Sequence, residues 1–326
     1  MFDQCSHAWL DARQHRLGVD AGKHDDCHKH AQQKTFAQAQ FSKALVRLID
    51  DPDELVYRQV RDELMKFGTE VLPVLEQSWE QDYYGLLFQD RIENLIHDIQ
   101  FETVKSQLSA WLQSPDKDLL SGAIIIAKYQ YPGLDEAVLH ERIQAIRRDI
   151  WLELNDHQTA FEQVKIFNRI FFGMHKFRGD GQNYHTPSHS YVNTVLESRK
   201  GNPLSLCIIY SVIAQSLDLP IYGVNLPNHF VLAYMDSKHS ALHMDNEDAY
   251  GVLFYINAFA KGSIFDAAEI KAFIQGIHLQ PDRSHFEPCS NSAILKRMLS
   301  NLIYAFQQVG TAQKVTELQE LRSLIP

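Results

Sequence analysis

The stretch from Asn202 to Asn257 decides the fold of this chain. It opens with Asn202-Pro-Leu-Ser-Leu-Cys207, continues through Pro227-Asn-His-Phe230 and closes with Phe254-Tyr-Ile-Asn257. The opening segment predicts a helix start, because Asn is a favoured N-cap and Pro is favoured at the first helical position. The later segments belong to runs of aromatic and β-branched residues, which predict strands. A thiol, an imidazole and a side-chain amide therefore follow one another on a helix, a strand and a strand.

These three groups, in this order, are those of a catalytic triad with a cysteine nucleophile, a histidine base and an amide that orients the base. Histidine takes the proton from the thiol, and the amide orients the imidazole. Cys207, His229 and Asn257 are therefore the candidate catalytic residues. The helix dipole favours thiolate most strongly in the first helical turn, and Cys207 lies beyond that turn. An inert, buried Cys207 in a helix interface is the alternative.

Other residues of the same region offer further roles. Ser205 is nearer the helix end and is an alternative nucleophile, although a first-turn hydroxyl often bonds the backbone. Asn193, on the preceding predicted helix, is a candidate oxyanion donor. A structural imidazole is the alternative interpretation of His229, and a bond to the backbone of the following turn is the alternative for Asn257. Both interpretations stay open at the level of sequence.

The composition excludes several classes of partner and location. A formal net charge of −10, without a basic stripe, argues against a nucleic-acid ligand. No apolar run reaches the roughly 20 residues that a membrane-spanning helix needs, so no membrane partner is expected. Cysteines are few and scattered and the first residues lack a signal-peptide pattern, which favours the cytoplasm. Gly179-Asp-Gly181 lacks a preceding strand, and no other motif predicts a cofactor.

Residues 1–36 are polar and lack apolar periodicity, so we expect a poorly ordered extension. Cys27-His-Lys-His30, with His24 nearby, contains metal-ligand types. A structural zinc site needs a second ligand pair at a suitable spacing, which this segment lacks. We therefore predict no metal site there, with zinc binding by the histidine cluster as the alternative.

The rest of the chain predicts an α+β fold that is mostly helical. Residues 37–155 have helical periodicity with short breaks, which predicts stacked α-hairpins of the HEAT type. Residues 156–285 combine helices with strand candidates and are expected to form the core domain that carries the site. Residues 286–326 predict a C-terminal helical hairpin, broken near Gly310. The strand candidates are Ile221–Asn225, Phe230–Met235 and Val252–Asn257.

Several motifs together resemble the SirB-type transglutaminase-like family, over roughly residues 160–265. They are Asn183-Tyr-His-Thr-Pro187, Asn193-Thr-Val-Leu-Glu-Ser-Arg-Lys-Gly-Asn-Pro-Leu-Ser-Leu206, Gly223-Val-Asn-Leu-Pro-Asn-His-Phe230 and Tyr255-Ile-Asn-Ala-Phe259. The tail Leu299-Ser-Asn-Leu-Ile-Tyr304 is similar to the tetratricopeptide-type helix pair that often follows this domain. The resemblance implies a transglutaminase/papain-like core, in which a central helix packs on a small antiparallel sheet with the site between them.

The chain departs from that family at two places that matter for chemistry. The first helical turn, where the fold keeps its nucleophile, carries Pro203, Leu204 and Ser205. Where many relatives have Ile-Asp-Pro-Phe, this chain has Ile256-Asn-Ala-Phe259. We therefore expect a degenerate core that binds a protein or peptide. The alternative is a cysteine-dependent amide hydrolase or acyl transferase that uses Cys207, His229 and Asn257.

Overall fold

A computed structural model of the chain describes residues 40–80, 85–181, 186–236 and 250–326. The predicted N-terminal extension and its histidine cluster lie outside the described residues. Helices predominate and two small sheets are present, so the predicted mostly helical α+β class is confirmed. The chain divides into two compact units, one ending at Thr103 and the other beginning at Val104. The domain borders predicted at residues 155 and 285 stay predictions.

The first unit is helical throughout its described part. Its helices are α1 (residues 40–46), α2 (Glu54–Phe67), α3 (Leu72–Trp79) and α4 (Leu86–Gln113), in which the division falls. Helix α2 begins where the carboxylate of Asp53 accepts the backbone N–H of Leu55 at 2.8 Å. It ends at Gly68, whose φ of +55° suits glycine. Leu64, Leu75 and other fully buried side chains form the core between these helices.

The second unit contains eight further helices in its described part. They are α5 (Leu119–Gln130), α6 (Glu136–Trp151), α7 (Ala160–Asn168), α8 (Val192–Ser198), α9 (Pro203–Gln215), α10 (Ala267–Gly276), α11 (Asn291–Val309) and α12 (Ala312–Leu324). Helix α7 starts with a capping box, in which Thr159 and Glu162 satisfy each other's backbone N–H groups. It continues into a π-helical turn, Arg169–Met174. None of the described helices combines the length and the apolar character that crossing a bilayer requires.

The larger sheet has four antiparallel strands in sequential order. They are β3 (Ile221–Leu226), β4 (His229–Met235), β5 (Val252–Asn257) and β6 (Ser263–Phe265). The first three match the predicted strands, whereas β6 has only three residues and was not predicted. A separate parallel pair joins β1 (Arg178–Gly179) to β2 (Lys200–Gly201). Strands β3 and β4 form a tight hairpin, in which Leu226 pairs with His229 across a two-residue turn.

Both faces of the larger sheet are covered. On one face, a cluster that includes Val231, Ala233 and Tyr255 packs against Ile270 and Ile274 of α10. Helix α9 packs on β3 and β4 and is buried nearly all round. Since α10 and its cluster fill the first face, α9 covers the opposite one. A helix thus lies against a small antiparallel sheet, as the sequence motifs imply.

Candidate functional site

The start of α9 is held by a buried capping box. Asn202 accepts the backbone N–H of Ser205 at 2.9 Å, and the Ser205 hydroxyl accepts the backbone N–H of Asn202 at 3.1 Å. The Asn202 amide also donates to the hydroxyl of Ser190 at 2.9 Å. In turn, Ser205 donates to the backbone carbonyl of His189 at 2.6 Å. The hydroxyl of Ser205, the alternative nucleophile, is thus engaged in the helix cap.

The candidate thiol lies inside the protein. Cys207 is 0% exposed, and its Sγ lies 3.7 Å from the backbone carbonyl oxygen of Phe230, to which the thiol donates. Burial raises the pKa of the Cys207 thiol well above its ordinary value, and a hydrogen bond from the backbone of Ala258 opposes this only in part. Desolvation disfavours the charged form of a thiol. Cys207 is therefore protonated at neutral pH.

His229 and Asn257 are brought together by the fold. The side chain of Asn257 lies near enough to His229 to raise the pKa of the imidazole, and the ring centroid of His229 lies 6.3 Å from that of Phe273. Burial lowers the pKa of His229 below its ordinary value, the side chain of Asn257 raises it, and the positive charge of Arg297 lowers it. The imidazole is therefore neutral at pH 7, which is the form that can accept a proton.

Asn257 has a second role at the end of β5. Its side-chain oxygen accepts the backbone N–H groups of Phe259 and Ala260, both at 3.1 Å. The turn-bonding role expected for this asparagine is therefore present, in addition to its effect on the pKa of His229.

The sheet separates the thiol from the imidazole. Side chains alternate between the faces of a strand, so His229 shares the face of Val231 and Ala233, which packs on α10. The contact of His229 with the ring of Phe273 on α10 agrees with this placement. Cys207 comes from α9 on the opposite face. The thiol thus bonds the backbone of the residue next to His229, whereas the imidazole lies on the opposite face, near Asn257.

Asn193, the candidate oxyanion donor, lies in the first turn of α8. Its side-chain oxygen is buried and has no hydrogen-bond partner among the described residues. An oxyanion requires the amide nitrogen as donor. The role of Asn193 toward an oxyanion stays a prediction.

A cavity of about 410 Å³ opens beside the start of α9. Its lining comes from the α9 cap, the β3–β4 turn and α11, and consists of Ser190, Asn202, Asn228, Arg297, Asn301, Tyr304 and Ala305. Arg297 is held in place by its bonds to the side-chain oxygens of Asn225 at 3.2 Å and Asn301 at 3.3 Å. Amide, guanidinium and phenol groups around one opening can hydrogen-bond a polar chain such as a peptide backbone.

The residues that α11 contributes to this lining were not predicted from the sequence. Arg297, Asn301 and Tyr304 are spaced by four and then three residues. Side chains at that spacing lie on one face of a helix. The polar face of an amphipathic helix was therefore the available signal. Among the described residues, no group of three His, Cys, Asp or Glu side chains lies close enough to hold a metal ion.

Sequence comparisons relate the chain to proteins of bacteria and mammals. A UPF0162 protein of Xylella fastidiosa (strain 9a5c) is 30% identical over 195 residues, which cover 57% of this chain and 65% of that protein. F-box only protein 21 of Mus musculus is 23% identical over 252 residues, which cover 70% of this chain and 39% of that protein. A UPF0162 protein of Vibrio cholerae is 24% identical over 190 residues, covering 57% of this chain and 65% of that protein. The chain thus spans less than two thirds of the length of these relatives. No solved structure matches it.

Comparison with sequence models of protein families identifies the family of this chain. The sequence model of the transglutaminase-like superfamily matches residues 137–300, about half of the chain. The matched region contains α9, the four-stranded sheet and the His229–Asn257 pair. The chain belongs to the transglutaminase-like superfamily.

Proposed function

We propose that this chain is a degenerate transglutaminase-like protein whose core binds a protein or peptide. The observation that carries the proposal is the placement of Cys207 across the sheet from His229. Acyl transfer by a thiol needs the nucleophile and its base within hydrogen-bond reach, together with access for the substrate. A fully buried, protonated thiol on the opposite face from the imidazole meets neither requirement.

The cavity beside the α9 cap is the proposed binding site. It is lined by side chains that donate and accept hydrogen bonds, and the half-exposed ring of Tyr304 provides apolar area. The similarity to F-box only protein 21 also points toward protein interaction. A peptide in this cavity would contact α11 and the β3–β4 turn.

The proposal also includes the branch of the family, the domain borders and the location of the protein. We assign the chain to the SirB-type branch of the family, with the core at residues 156–285. Residues 37–155 are assigned as HEAT-like hairpins and residues 286–326 as a tetratricopeptide-like hairpin. Helices α11 and α12, which pack against each other, support the latter. Such helical pairs commonly present concave surfaces to protein partners. The few, scattered cysteines favour a cytoplasmic location.

A cysteine-dependent hydrolase or acyl transferase is the second candidate. The position of Asn257 near His229 favours it, because it places an amide beside the base, as in a catalytic triad. Catalysis would require Cys207 to become accessible on the same side of the sheet as His229. The reactivity of the thiol therefore separates the two candidates.

The decisive chemical test is the rate of Cys207 alkylation by iodoacetamide as a function of pH. The protein should carry Cys5→Ser, Cys27→Ser and Cys289→Ser, so that Cys207 alone reacts. We expect slow labelling that accelerates only when urea unfolds the protein, with the same rate in a His229→Ala variant. Fast labelling below neutral pH that is lost on His229→Ala would instead establish a coupled thiol–imidazole pair and refute the degenerate site.

Binding itself is tested with peptides selected from a displayed random library. The affinity of an enriched peptide, measured by fluorescence anisotropy, should fall about tenfold or more on Tyr304→Ala, as expected for a buried aromatic contact. Tyr222→Ala is the matched control, because Tyr222 is 40% exposed against 47% for Tyr304 and does not line the cavity. Equal losses in both variants, or no enriched peptide, would contradict a peptide site at this cavity.

A further inference from the structure

A second cavity, of about 290 Å³, lies between α11, α12 and β3. Its lining consists of Asn225, Ala293, Lys296, Arg297, Ser300 and Arg322. Three of these six residues are cations, and the lining contains no carboxylate. The cavity is therefore positively charged, although the whole chain has a formal net charge of −10.

The positive charges of Lys296 and Arg322 are available to a ligand. Lys296 and Arg322 are exposed, and neither forms an ion pair with a described carboxylate. Arg297 is oriented by its bonds to Asn225 and to the backbone carbonyl of Leu226. Like charges that converge on one cavity repel each other, and an anion bound between them relieves that repulsion.

The kind of anion follows from the number and type of donors. A guanidinium presents a planar fork of N–H groups that matches the oxygens of phosphate or carboxylate, whereas an ammonium acts as a point charge. A phosphate near neutral pH carries close to two negative charges and has three oxygens to share among three cations. A single carboxylate has one charge and two oxygens, so it would satisfy the lining less completely.

We propose that Lys296, Arg297 and Arg322 form a binding site for a phosphate dianion, either free or carried as a phosphomonoester. The site is distinct from the His229–Asn257 pair and does not depend on a peptide partner. Arg297 also lines the cavity beside the α9 cap, so it borders both openings. The most informative substitutions therefore remove Lys296 and Arg322, which line only the cationic cavity.

Calorimetric titration of the full chain tests the proposal with three probes. These are inorganic phosphate, N-acetyl-phosphoserine amide, whose only charged group is the phosphate, and succinate as a dicarboxylate. We expect a phosphate-bearing probe to bind with one-to-one stoichiometry and succinate to bind more weakly. Lys296→Ala and Arg322→Ala should each weaken phosphate binding about tenfold, the usual loss for one charge-assisted hydrogen bond.

Lys271→Ala and Arg148→Ala are matched controls, because both remove an exposed cation of the same unit away from this lining. They should leave the affinity unchanged. The proposal is overturned if no phosphate probe binds the wild type, if succinate binds as tightly, or if the controls lose as much affinity. Tighter binding of N-acetyl-phosphoserine amide than of inorganic phosphate assigns the site to a monoester, and the reverse assigns it to free phosphate.

Discussion

Replacement of Asn202 by alanine should destabilise the second unit more than any ordinary surface substitution. The side chain of Asn202 is buried, with 5% exposure, and performs two tasks. It accepts the backbone N–H of Ser205 as the N-cap of α9, and it donates to the hydroxyl of Ser190. The alanine variant loses both bonds and leaves buried polar groups without partners.

The loss in free energy of unfolding can be estimated for each of the two bonds. Loss of an N-cap side chain costs about 1 to 2 kcal/mol of stability. Loss of the partner of the Ser190 hydroxyl, which is 4% exposed, costs about a further 1 to 2 kcal/mol because that group has little access to solvent. We therefore expect Asn202→Ala to lower the free energy of unfolding by about 2 to 4 kcal/mol.

Urea unfolding monitored by circular dichroism measures this loss, and Asn202→Ser separates the two tasks. A serine hydroxyl can still cap the helix but is too short to reach Ser190, so the serine variant should lose about 1 to 2 kcal/mol. Ser205→Ala should cost about 1 kcal/mol, because the backbone N–H of Asn202 keeps the His189 carbonyl as its acceptor at 3.3 Å. The double variant Asn202→Ala/Ser205→Ala should lose less than the sum of the single losses, since both residues share one capping box.

Two results would refute this reasoning. A loss below about 0.5 kcal/mol for Asn202→Ala would fall within the range of ordinary surface substitutions and mean that its bonds do not hold the helix start. Strict additivity of Asn202→Ala and Ser205→Ala would mean that the two side chains act independently.

Two further predictions concern His229 and the turn after β5. Because burial lowers the pKa of His229, the unfolded chain binds a proton first as the pH falls below about 6.5, so stability should decrease there. The decrease should be smaller in His229→Gln, as followed by urea unfolding across a pH series, and an identical pH dependence would contradict it. Gly262→Ala should cost about 2 to 4 kcal/mol, because Gly262 has a φ of +75° and a Cβ there would lie 2.1 Å from the side-chain oxygen of Asn168. The same urea measurement checks it, and a loss similar to that of the exposed Gly133→Ala would argue against the close approach.

The helix start and the strands were predictable because their signals are local. Asn202 followed by Pro203 predicts a helix start, and the structure begins α9 at Pro203 with Asn202 as its N-cap. The three predicted strands differ from the observed ones by at most one residue at either end. In contrast, the length of α4, a single helix of 28 residues, was not predicted, because its apolar positions fit one long helix as well as two short ones.

The site was predictable only in part. Residue types and their order identified His229 and Asn257, which the fold does bring together. The hairpin turn and the hydrophobic pattern set the register of β4, but which face of the sheet α9 covers depends on tertiary packing, which no local pattern encodes. The cavity residues of α11 depend on how the C-terminal hairpin packs against α9 and the sheet, which no local motif encodes.

The two-residue turn at Pro227 and Asn228 determines the face of the sheet on which the His229 side chain lies. Asn228 adopts a φ of +56°, which asparagine tolerates, and thereby sets the pairing of Leu226 with His229. A slip of β4 by one residue would carry His229 to the face of α9, toward Cys207. The same slip would pull Val231 out of the core against α10. A thiol and an imidazole on one face would therefore require an insertion or deletion at the hairpin, in addition to an accessible Cys207.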